Sequence, residues 1–77
     1  MKATAPALSL TYSERARVLE ELEGCLMHLQ VVEEHLAVAA ARQGTTVAAR
    51  TERQLDAARE ALSDVRGRVG RAPVAGD

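Results

Sequence analysis

Cys25, His28 and His35 are the residues whose types could hold a metal, and Glu33 and Glu34 those that could exchange protons. On a helix Cys25, His28 and His35 share one flank with Glu21 and Val32. Thiolate and imidazole are zinc ligands, and a spacing of three lets Cys25 and His28 share an ion. His35 stands two turns, about 10 Å, farther along and cannot join them on a straight helix. Only a second chain could close such a site, so the expectation is no metal and no cofactor. Cys25 then reads as a small apolar residue at a seam edge, with the histidines at its boundary. Di-iron carboxylate bundles use Glu-x-x-His, but no glutamate stands three residues before either histidine. Acid–base work by Glu33 and Glu34, or nucleophilic work by Cys25, needs a pocket that two helices cannot enclose. Phosphate loops, Ser/His/Asp sets and zinc ribbons are missing too. Neither an enzyme nor a small-molecule substrate is expected.

What positions these residues is one long amphipathic stretch, Tyr12 to about Arg42. At 100° per residue, Val18, Leu19, Leu22, Cys25, Leu26, Leu29, Val32, Leu36 and Ala40 fall within roughly a third of the circumference. Two seams overlap there. One runs Leu19, Leu22, Leu26, Leu29, Leu36, Ala40, and the other Val18, Leu22, Cys25, Leu29, Val32, Leu36, Ala39. A single neighbouring helix fills one seam, so the second needs another neighbour. A thinner apolar track of Met27, Val31 and Val38 lies on the opposite side. Thr11 with Glu14 fits a capping box at the start, with Ser13 or Ser9 as alternative caps, and Gly44 fits the left-handed position that ends a helix. Leu8, Leu10 and Tyr12 could fold back as a short apolar flap.

Residues 43 to 46, Gln-Gly-Thr-Thr, are the one clear break, with Thr45 or Thr46 as the expected N-cap of a second helix. That short link forces the second helix back against the first. Ala48, Thr51, Leu55, Ala58, Leu62, Val65 and Val69 form its 3-4 heptad seam, a narrow stripe suited to one neighbour. Gly67 and Gly70 are expected to fray its end. The first helix, about 45 Å long against about 33 Å, should then overhang from Tyr12 to about Val18. The expected fold is an all-α antiparallel hairpin, helices about 12–42 and 46–67, completed into a bundle by dimerisation or by a partner. Its expected parts are a flexible segment 1–11, the hairpin 12–69 and a disordered tail 70–77.

Seventy-seven residues bury little surface. The hydrophobic 47% is largely alanine, with one aromatic residue, Tyr12, and no Phe or Trp. A hairpin so composed is expected to need association. One cysteine excludes an internal disulfide and fits a reducing compartment; no leader-like apolar core or membrane-length run occurs, so a cytoplasmic location is expected. Residues 1–41 carry three basic and six acidic groups, hence -3, and residues 42–77 seven and five, hence +2. That split favours antiparallel pairing of the halves and argues against a nucleic-acid surface.

Glu33 breaks the pattern, because it projects into the apolar face between Leu29 and Leu36. A carboxylate there must be paired or wet. It either snorkels to Arg59 or sets register with a basic residue of a partner.

A short start, a helix of about thirty residues, a Gly-containing turn and a second helix closing with Leu-Asp-Ala-Ala-Arg-Glu-Ala-Leu-Ser-Asp-Val (55 to 65) together resemble the small co-chaperones of type III secretion needle subunits. The resemblance spans roughly residues 10 to 69. It implies a cytosolic hairpin that joins a larger helical-repeat chaperone to keep the needle subunit from polymerising. The competing readings are a homodimeric four-helix-bundle structural or regulatory protein and a small inhibitor acting through a helical face. In each, the expected partner interface is Val18, Leu22, Cys25, Leu29, Val32, Glu33 and Leu36. The expected hairpin core is Leu19, Leu26, Ala40, Ala48, Leu55, Ala58, Leu62 and Val65.

Overall fold

The computed structural model describes residues 8–75. It is an all-α antiparallel hairpin of two packed helices, α1 (Tyr12–Arg42) and α2 (Ala49–Arg71). Both ends of α1 fall where local chemistry puts them. Thr11 Oγ1 accepts from the Glu14 amide at 3.1 Å, and the Thr11 amide donates to Glu14 Oε1 at 3.0 Å. Two orphan donors of the first turn are thereby satisfied. At the other end Gly44 adopts φ 73°. The Thr45 amide donates to Ala40 O at 2.9 Å and the Gly44 amide to Ala41 O at 3.0 Å. These two bonds reverse the chain and close the last carbonyls of α1.

α2 begins later than expected. Its N-cap is Ala48, which makes no side-chain capping bond, rather than Thr45 or Thr46. The Thr45 amide is already committed to closing α1, and residues 45–48 run without helical structure before α2 begins. α2 also ends later, at Arg71 instead of about 67, passing through both Gly67 and Gly70. Tertiary contacts override the two glycines. Val69 is 6% exposed, the one buried residue among those described.

Beyond Arg71 the chain turns extended and lies beside the entry to α1. Leu10 and Val74 form a parallel bridge, with Leu10 N donating to Pro73 O at 3.1 Å and Ala75 N to Leu10 O at 2.8 Å. Arg15 Nη1 donates to Ala72 O at 3.4 Å. These contacts correct two expectations: Ala72 to Ala75 are tied down rather than a free tail, and the start of α1 is flanked rather than overhanging. Of the suggested flap, Leu10 is half-buried while Leu8 and Tyr12 remain exposed at 62% and 61%. The rest of the proposed flexible segment, 1–7, and of the tail, 76–77, lies outside the described residues.

Two ion pairs span the antiparallel helices. Arg59 pairs with Glu33, and Arg66 Nη2 stands 3.8 Å from Glu23 Oε1. Leu19, Leu26, Ala40, Leu55, Ala58 and Leu62 of the expected core are half-buried. Two others lie elsewhere. Ala48 is exposed at the N-cap, and Val65 is 45% exposed. A helix advances 100° per residue, so Val65 is turned about 60° from Leu62 whereas Val69 returns to within about 20°. The seam therefore passes from Leu62 to Val69 and leaves Val65 at its edge.

Candidate protein-interaction face

The residues expected at a partner interface divide into two groups. Val18, Leu22 and Leu29 are half-buried, as is Glu33. Cys25, Val32 and Leu36 stay accessible, Val32 at 40% and Leu36 at 36%. Helical geometry explains why Cys25 and Val32 are left accessible. Leu19, Leu22, Leu26, Leu29, Glu33 and Ala40 follow a 3-4 seam whose centre faces α2, and Cys25 and Val32 lie about 75 to 95° round from that centre. Half of the second seam is thus consumed inside the hairpin, and the outer half is left as a flank.

Beside that flank runs an open groove of about 500 Å³, lined by Glu21, Cys25, His28, Leu29, Val32 and, from α2, Leu62. Gly24 also lines it, and nothing stands within 4 Å of where its Cβ would be. By helical position Val65 borders the same side of α2, away from Arg59. Val65, expected in the core, lies here instead, and its spacing gave no signal of this, since Ala58 has the same 60° offset from Leu55 and is half-buried. The opposite track, Met27, Val31 and Val38, is 69%, 45% and 66% exposed. It is interrupted by the exposed Glu20, Glu23, Gln30 and Glu34, so it forms no continuous apolar patch.

Glu33 is satisfied within the chain. Arg59 donates to it from Nη2, and from Nη1 to Asp56 Oδ1 at 3.3 Å. The hydrogen bond to Glu33 and then the attraction of that carboxylate raise the Arg59 pKa above its ordinary value; desolvation opposes them, and Asp56 adds the least. Of the two roles open to Glu33, the one seen is the pair to Arg59. A smaller groove of about 270 Å³ lies near the turn between Glu33, Leu36, Val47 and Leu55.

Among the described residues no three His, Cys, Asp or Glu side chains gather where an ion could sit, and Cys25 is a free thiol. Neither helix is long and apolar enough to cross a membrane. What the fold and the face define is a small all-α hairpin with one accessible apolar flank. No known protein family, curated protein or solved structure matches the chain.

Proposed function

We propose that this chain is a small non-enzymatic protein-interaction module, a cytosolic adaptor or co-chaperone of the kind that accompanies type III secretion needle subunits. It works by burying the Cys25, Val32 and Leu36 flank of α1, with the adjoining groove, against a partner protein. The observation that carries this reading is the mismatch between apolar surface and cover. Cys25, Val32, Leu36 and Val65 stay accessible in a chain whose described residues include one buried side chain. Burial of such a row is worth roughly 25 cal/mol per Å², and an amphipathic helix face presenting i, i+3/i+4, i+7 anchors is a recurrent recognition surface.

The test is Val32→Glu. Val32 is at the centre of the flank but outside the seam facing α2, so a charge there should abolish association and lower helicity through loss of the partner. A Val32→Glu chain that kept its oligomeric mass and its partner would refute the assignment of the flank. The narrower co-chaperone role is tested by the genes beside this one, where secretion-apparatus components are expected; unrelated neighbours would remove that role and leave the interaction module.

A further inference from the structure

We infer that the flank of α1 is built to pair with a second copy of the same helix, antiparallel, about a two-fold axis near His28; this rests on the reading of the flank as an interface. A row of charged and imidazole side chains runs beside the apolar residues. Glu14, Glu21, His28, His35 and Arg42 recur every seven residues along α1, all exposed, on the side of the flank away from α2. The row is acidic at its N-terminal end and imidazole or basic at its C-terminal end. Glu21, His28, His35 and Arg42 have no ion pair or side-chain hydrogen bond with other described residues. By contrast Glu23 and Glu33, on the hairpin side, both find arginines of α2.

In an antiparallel helix pair the rows that flank the seam meet their own counterparts, and under two-fold symmetry residue i faces j while j faces i. Turned about His28, whose two copies meet at the axis, the rest of this row is its own complement. Glu14 faces Arg42, Glu21 faces His35, and each pair occurs twice. Glu14 uses Oε1 in the capping box, which leaves its other oxygen for Arg42. The same register sets Cys25 near Val32 and Val18 near Ala39, so the apolar rows coincide with the charged ones. Arg17, on the outer edge, meets Ala39 and adds no like-charge contact. Parallel alignment offers no such match, because the row would then meet the side bearing Leu19, Leu26 and Glu33, which faces α2.

The experiment is sedimentation equilibrium on the full chain, with charge-reversal variants. The wild type should weigh 16.4 kDa, twice 8.2 kDa. His35→Glu places carboxylates opposite Glu21 twice and should weaken the dimer about tenfold. Adding Glu21→Arg to it should restore most of that loss. Mixing the Glu21→Arg chain with the His35→Glu chain should yield more heterodimer by native mass spectrometry than the statistical half, since only the mixed pair has both contacts attractive. Mild oxidation of the wild type should give no disulfide-linked dimer, because the two Cys25 residues stand about 9 Å apart along the axis. A dimer indifferent to these charges, or one readily linked through Cys25, overturns the antiparallel register while Val32→Glu separately reports on the flank. A dimer that survives Val32→Glu overturns both. A chain that is monomeric and unfolded alone overturns self-pairing only, and a folded monomer at all concentrations overturns self-pairing and the flank together.

Discussion

Gly44 and Gly67 show how the same residue type stabilises one position and weakens another. Gly44 holds φ 73° with open space around it, so the obstacle to a side chain there is the backbone conformation itself. Gly44→Ala should cost about 1 kcal/mol in urea denaturation. Gly67 sits inside α2, where glycine is a poor helix former, and an added Cβ would stand 3.1 Å from the Arg71 guanidinium. That neighbour is the exposed far end of a flexible side chain and can swing aside. Gly67→Ala should therefore stabilise by up to about 1 kcal/mol; a loss would mean Arg71 is held in place. Glu33 makes a third case. Its pair with Arg59 is partly exposed, at 40% and 30% of the two side chains, and such pairs contribute little. Glu33→Leu, which extends the apolar seam, should leave the thermal midpoint unchanged or higher at fixed concentration, and a clear drop would assign Glu33 a further role.

At the scale of elements, what was legible in the sequence was what local chemistry decides. Thr11 and Glu14 mark the start of α1 and Gly44 its end because caps are made by neighbours in the chain, and Thr11→Ala should cost about 1 kcal/mol. The end of α2 was not legible. Gly67, Gly70 and Pro73 all argue locally for a stop, yet the helix continues because Val69 is buried and because Leu10, sixty-odd residues upstream, pairs with the strand-like segment at Val74. That contact joins segments far apart in sequence and has no local signature. The candidate face was half legible for a similar reason. Periodicity shows that α1 has two overlapping seams, but Leu22 and Leu29 belong to both, and only the packed pair decides that the hairpin takes them and leaves Cys25, Val32 and Leu36. If Val69 is what extends α2, Val69→Ala should destabilise by about 1–2 kcal/mol and strip hydrogen-exchange protection from the amides of the last turn before it affects those near Leu55. Uniform loss along the helix would show instead that α2 melts as one unit.

On the scale of the whole molecule, the hairpin is a single layer of helices, 11 Å across its thinnest dimension, with a radius of gyration of 17.6 Å. A compact domain of this length has a radius of about 11.5 Å. A layer this thin has no interior of its own, since each helix can shield only one side of the other, and the described residues accordingly bury little beyond Val69. Conformational entropy opposes every ordered residue whether or not it is shielded. Folding and association should therefore be one transition, with the second chain supplying the missing layer. In that case the melting temperature must depend on protein concentration by mass action. With an unfolding enthalpy near 0.7 kcal/mol per residue, a dimer of this size should gain about 5 °C in Tm for each tenfold rise in concentration. The Val32→Glu chain, unable to gain that layer, should show no cooperative melt. A wild-type Tm that stayed flat over a thousandfold range would mean that one layer is enough, and the accessible row on α1 would then have no energetic reason to seek a cover.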